Sequence, residues 1–164
     1  MIVFHGTNGD IKDVDLTKGS RFKDFGQGFY VTPDLETAQR MARKKAKLFG
    51  GEPTVLVYEF HKEMVTENGL KMKVFPENAT AEWIRFIDKN RDKQQGVAHH
   101  DYDIVQGPIA DDGVVVQLTN FRNEIYTPED AALRLQDKYL DQQIYFGTPS
   151  ALQLLKKTDV WKIS

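Results

Sequence analysis

The chain has no cysteine. That absence excludes disulfide scaffolding, thiolate catalysis and cysteine-based zinc sites. Excess charge is missing too: 22 Lys and Arg stand against 24 Asp and Glu, a formal net charge of −2. No global basic field therefore recruits nucleic acid or an anionic membrane, although a local groove is not excluded. No apolar segment approaches the roughly 20 residues needed to cross a bilayer. The opening MIVFHGT lacks the charged and apolar regions of a signal peptide. The expected location is the cytoplasm, with no membrane partner. Without a secretion signal, the acceptor-like triplet Asn78-Ala79-Thr80 reads as a helix start rather than a glycosylation site. No internal repeat, low-complexity tract or linker interrupts the 164 residues, so residues 1–164 are expected to form one domain with a single core.

Short strands and helices alternate irregularly. Residues 2–5 are β-branched or aromatic and end at Gly6, the pattern of a first strand. Residues 8–27, rich in Gly, Asp, Lys and Ser, read as a loop, and GFYVT as a second strand. Thr32-Pro33 predicts a helix with Thr at the N-cap, continued by Leu35, Ala38, Ala42, Ala46 and Phe49 and ended by Gly50-Gly51. Further strands are predicted at 54–60, at 102–110 (broken by Gly107-Pro108), at 143–146 and at 160–163. Residues 79–91 read as an amphipathic helix with Trp83, Ile84 and Ile87 as its stripe. Residues 114–121 fit helix or strand equally by pattern. Thr127-Pro128-Glu129-Asp130 has the form of a capping box opening a helix to about Tyr139, and Thr148-Pro149 opens another. The class is mixed α+β.

Two short pieces carry chemistry. His5 leaves a strand into Gly6, where backbone can approach a ligand closely; alone, such a histidine is more often a surface residue at a strand end. In FGQGFYVT, Phe29 and Tyr30 point to opposite faces of a strand, one into the core and one free to stack. A tyrosine face suits an aromatic cation, although packing aromatics beside a loop are the default reading.

Taken together, FHGT, GQGFYVT and the late strand QQIYFGT resemble the three-part signature of the ADP-ribosyltransferases, in the diphtheria-toxin and poly(ADP-ribose) polymerase branch. Over nearly the whole length, the run through VYEF, EWIRFIDKNR, YDIVQGPIADD and QIYF is similar to the bacterial family of domain of unknown function 3990, which is placed among those enzymes. The resemblance implies two small, antiparallel-rich sheets split around an NAD cleft with flanking helices. It implies mono-ADP-ribosyl transfer from NAD+, used as substrate with no metal, to a protein or nucleic acid. A bacterial toxin, effector or phage-defence role is implied as well, with a cognate antitoxin or immunity protein as a further partner. By the same resemblance His5 holds a ribose, Gly6 clamps the carboxamide, Tyr30 stacks on nicotinamide, and Thr7 helps orient a ribose. Gly28 and Arg21 join the cofactor-binding set, with Arg21 and Lys23 as phosphate contacts.

At the third motif the family pattern carries a Glu, and this chain reads Asp141-Gln142-Gln143. Gln143 is the first candidate, Gln142 the second, and Asp141 a carboxylate reachable by a register shift. A glutamine can hold a hydroxyl but cannot act as a general base. This leaves two rival expectations, a non-catalytic NAD- or partner-binding module and an NAD glycohydrolase. Asp111 and Asp112 in ADDG read as solvated turn acids, or else as the acceptor side of the cleft together with Asp141 and Gln142. HHDYD (99–103) could be read as a metal site, but adjacent histidines on extended backbone diverge and no further ligand is suitably spaced. The basic run Arg40, Arg43, Lys44, Lys45 and Lys47 is a solvated face, or a phosphate-steering one if it borders the cleft.

Overall fold

A computed structural model describes residues 1–93 and 100–164. β-branched and aromatic residues at the start form strand β1 (Ile2–Thr7). It pairs antiparallel with β3 (Thr54–Phe60), which pairs antiparallel on its other edge with β7 (Leu155–Lys162). This three-stranded sheet has the order β1-β3-β7. The second sheet has the order β2-β6-β5-β4 and comprises β2 (Phe29–Val31), β6 (Gln142–Phe146), β5 (Ile104–Pro108) and β4 (Met72–Val74). Its pairs are antiparallel except β4 with β5. One isolated bridge ties the two sheets together, with Phe4 and Thr32 exchanging both backbone hydrogen bonds at 2.8 Å.

Among the described residues five helices flank the sheets: α1 (Leu35–Phe49), α2 (Ala81–Arg91), α3 (Asp112–Arg122), α4 (Pro128–Leu135) and α5 (Pro149–Leu152). The architecture is mixed α+β with two sheets. Val3, Phe29, Val31, Leu56, Phe60, Ile104, Ile144 and Phe146 form a core to which both sheets contribute. A second core packs α2, α3 and α4 on the four-stranded sheet through Trp83, Ile84, Ile87, Val114, Leu118 and Leu135. The third is small: Ala38 and Ala42 of α1 lie on Val55. Small residues let that helix come close, and Gly6 brings it closer still, since a Cβ there would stand 2.1 Å from the Ala38 carbonyl oxygen.

Local signals misplaced some boundaries. Asp34, not Thr32, caps α1, accepting hydrogen bonds from the Glu36 amide at 3.0 Å and the Thr37 hydroxyl at 2.9 Å; Thr32 Oγ1 instead accepts from the Asp34 amide. Gly107-Pro108 does not break β5 but ends it, with both residues still paired to β6. The ambiguous 114–121 stretch is helical because Asp111 caps it, accepting from the Val114 amide at 3.0 Å. The capping box at Thr127 and Asp130 is present, yet α4 stops at Leu135. β7 begins five residues before the predicted 160, and β4 and a 3-10 turn at Lys62–Met64 had no clear signal. Among the described residues no helix is long and apolar enough to cross a membrane.

Candidate functional site

The junction of the sheets leaves a cavity of about 780 Å³, inside the roughly 300–1,000 Å³ range of small-molecule sites. β1 contributes Phe4, His5 and Gly6, and the approach to β2 contributes Lys23, Asp24 and Gly28. β2 adds Phe29 and Tyr30, α1 adds Met41, Lys44 and Lys45, α2 adds Arg91, and β6 adds Gln143.

His5 Nδ1 lies 2.6 Å from the Tyr30 carbonyl oxygen, which can only accept, so Nδ1 carries the proton. Burial, with Lys45 nearby, lowers the imidazole pKa to about 3. The ring is therefore neutral, and Nε2 is left as an acceptor. In this tautomer the open ring nitrogen can accept a hydrogen bond from a hydroxyl but cannot donate one.

Phe29 turns into the core against Tyr58, while the Tyr30 ring borders the cavity. The Tyr30 hydroxyl donates to the Gly26 carbonyl at 2.6 Å and accepts from the Phe25 amide at 3.1 Å, which anchors the ring from its far end. Burial raises its pKa well above the ordinary phenol value. Lys23 Nζ stands over the ring, 5.2 Å from its centroid, so that face already carries a cation.

Lys45 Nζ donates to the Gly6 carbonyl at 2.9 Å. Burial, with repulsion from Lys23 second, lowers its pKa to about 8; the Lys23 pKa is also lowered, mainly by burial. Among the described residues neither Lys23 nor Lys45 is in an ion pair. Two cations held close, with only Asp24 acting on Lys23 from beyond ion-pair distance, favour an anion between them.

At the inner wall lies a network that the sequence did not signal. Asp24, 6 % exposed, accepts from Arg91 Nε at 2.7 Å and pairs with Arg91 Nη2 at 2.5 Å through Oδ1. Its Oδ2 accepts from the Ala110 amide at 3.1 Å and from Gln143 Nε2 at 3.0 Å. Gln143 Nε2 also donates to the Pro108 carbonyl at 3.1 Å. Asp24 stands beside the glycine motif and could have been suspected; Arg91, 67 residues away, gave no local sign.

Of the sequence candidates, the cavity gathers His5, Gly6, Gly28, Tyr30 and Gln143, with Lys23, Lys44 and Lys45. Thr7 does not line it but is buried in the sheet opposite Thr54. Arg21 is not among its lining residues. Asp141 pairs with Arg40 at 2.6 Å, and Gln142 donates to the Glu77 and Leu140 carbonyls. Neither lines the cavity: Gln142 points to the opposite face of β6 from Gln143, and Asp141, just before the strand, is held by Arg40. Asp111 is a helix cap paired with Lys138 at 2.9 Å, and Asp112 opens α3; both are exposed and outside the cavity. Gly28 admits the Tyr145 ring, whose Cε2 would lie 2.4 Å from a Cβ. Gly6 and Gly28 thus each have a packing duty against protein neighbours. His99 lies outside the described residues. His100 Nε2 bonds the Phe25 carbonyl, Asp101 pairs with Lys71, and Asp103 accepts from Thr148, three separate duties. No group of three metal-ligating side chains occurs among the described residues.

The profile of the family described as "Protein of unknown function (DUF3990)" matches residues 1–157. No curated protein and no solved structure matches the chain.

Proposed function

We propose that this chain, which belongs to the DUF3990 family, is an NAD-dependent mono-ADP-ribosyltransferase. One observation carries the proposal: His5, Tyr30 and Gln143, from three strands in two sheets, line one cavity beside Lys23 and Lys45, which form no ion pair with any described residue. In this reading Tyr30 stacks on the nicotinamide cation, which takes the place of the Lys23 ammonium. Lys23 and Lys45 then turn to the pyrophosphate. Lys45 leaves the Gly6 carbonyl free for the carboxamide, and His5 Nε2 accepts a hydrogen bond from a ribose hydroxyl. Held this way, the bond from the nicotinamide nitrogen to the ribose C1′ breaks, and its electron pair stays on nicotinamide. The oxocarbenium-like ribose is then attacked by the acceptor's lone pair. Positioning and electrostatic placement supply the rate effect.

The absence of a basic carboxylate at position 143 favours a second reading, an NAD-binding module without turnover. Labelled NAD, incubated with protein and whole-cell lysate, separates the two. Transfer predicts label on macromolecules, lost with a Tyr30→Ala variant and sensitive to protease or nuclease according to the acceptor. Nicotinamide release without label would mean water is the acceptor, and NAD binding without release would mean the module. Neither binding nor release with any acceptor mixture would overturn the whole reading.

A further inference from the structure

We propose that Asp24 and Arg91 are positioning residues that lock the Gln143 amide with its oxygen toward the cavity, so that this glutamine presents the acceptor atom a glutamate would present. Both amide hydrogens of Gln143 are committed, one to Asp24 Oδ2 at 3.0 Å and one to the Pro108 carbonyl at 3.1 Å. A flipped amide would set its oxygen against two acceptors, so the orientation is unique. Oε1 makes no hydrogen bond with a described residue, is not among the enclosed unpartnered atoms, and belongs to a cavity-lining side chain. It is therefore the atom offered to a ligand hydroxyl.

The same geometry explains why the residue is not a glutamate. A carboxylate at 143 would face Asp24 Oδ2 and the Pro108 carbonyl with no hydrogen to give either. Asp24 cannot turn aside, because its two oxygens accept from Arg91, Ala110 and Gln143. With 6 % of its surface exposed, it needs those donors. Position 143 thus offers an acceptor oxygen, and the negative charge beside it sits on Asp24, where Arg91 holds it.

The test has a ligand arm, which rests on the NAD reading, and a stability arm, which does not. In the first, NAD affinity is measured by calorimetry for wild type, Asp24→Asn, Gln143→Ala and the double variant. An asparagine has one acceptor oxygen, so either Arg91 or the Gln143 side meets a donor. Asp24→Asn and Gln143→Ala should each weaken binding about tenfold, the scale of one lost ligand hydrogen bond, and the double variant should be no weaker than Gln143→Ala. Additive losses would overturn the positioning role, since a merely structural aspartate would act whatever stood at 143.

In the second arm, Gln143→Glu is melted across pH. Asp24 should raise the folded-state pKa of the new carboxyl above the unfolded value near 4.3. The variant should then match wild type below about pH 4 and fall behind it as pH rises. Asp24→Asn in that background should restore much of the loss. A Gln143→Glu protein as stable as wild type at pH 8 would sink the proposal, whatever NAD does. If Asp24→Asn does not fold, Arg91→Lys replaces it in the ligand arm with the same expectation. Wild-type protein that fails to bind NAD would remove the functional reading, leaving the stability arm to decide the positioning.

Discussion

Replacing Gly6 by alanine would force α1 off β1. The new Cβ would sit 2.1 Å from the Ala38 carbonyl oxygen, 2.8 Å from the Ala42 nitrogen and 3.0 Å from the Ala38 carbonyl carbon. All three are helix backbone atoms, so no side chain can rotate away. Ordinary contact starts at 3.4 Å, so the helix must retreat by about 1.3 Å across a seam where Ala38 and Ala42 are fully buried. Overpacking typically destabilises by about 1–3 kcal/mol, and a rigid partner puts this case at about 3. For a domain of this size that lowers Tm by roughly 6–12 °C. The assay is thermal and urea unfolding followed by far-ultraviolet circular dichroism. Gly9→Ala serves as control, because a Cβ there meets nothing within 4 Å. Since α1 carries Lys44 and Lys45, NAD affinity should fall in the same variant. A Gly6→Ala protein melting within about 2 °C of the control would refute the account of this glycine as a packing residue.

Three further outcomes follow from the site. Lys45 sits near pKa 8, and a phosphate beside it would raise that value, so NAD binding at pH 8 should take up protons and weaken as pH climbs further; calorimetry in two buffers of different ionisation enthalpy detects the uptake, which Lys45→Met should abolish, and no uptake in wild type would exclude the phosphate contact. Tyr30→Phe keeps the ring and loses the hydroxyl bonds to Gly26 and Phe25, so it should lower stability by about 1 kcal/mol while retaining NAD binding, whereas Tyr30→Ala should lose binding at least tenfold; equal losses would contradict stacking. Asp34→Ala should destabilise by about 1 kcal/mol through the lost cap of α1, and an unaffected melting curve would return the capping role to Thr32.

Periodicity and caps made most of the fold legible, and the failures have physical reasons. The stripe of Leu35, Ala38 and Ala42 placed α1, yet two capping types on either side of Pro33, Thr32 and Asp34, competed for its start; Thr32 lost because its backbone is engaged with Phe4 between the sheets. Residues 114–121 were ambiguous because Val114, Val115 and Val116 favour strands locally, while Asp111 and the packing of Val114 and Leu118 make the segment helical. β4 is three residues long and gains its register only from β5, a neighbour 32 residues ahead. At the cavity, His5, Tyr30 and Gln143 could be named because each stands in or beside a local motif. Asp24–Arg91 could not, since an ion pair spanning 67 residues leaves no periodic trace. The glycines were visible, but their packing duty was not: their missing side chains make room for α1 and Tyr145.

The bases available at the cavity constrain what an ADP-ribose acceptor could be. Neutral His5 binds a proton only near pH 3, too weakly to deprotonate a hydroxyl. Asp24 has both oxygens occupied by donors, Gln143 is an amide, and Lys45, whose pKa of about 8 a bound pyrophosphate would raise, is held as an ammonium. At the rim Asp15 accepts from the Thr17 amide and hydroxyl, which lower its pKa, and Asp13 stands exposed. An acceptor whose lone pair is already free, a carboxylate or an unprotonated ring nitrogen, needs none of these groups; a serine or threonine hydroxyl needs one. If transfer occurs, the label should therefore be released from protein by neutral hydroxylamine, as a carboxylate ester is, or be soluble after nuclease treatment. Mass spectrometry placing it on serine, with no partner protein added, would show that one of these groups is a stronger base than its contacts allow.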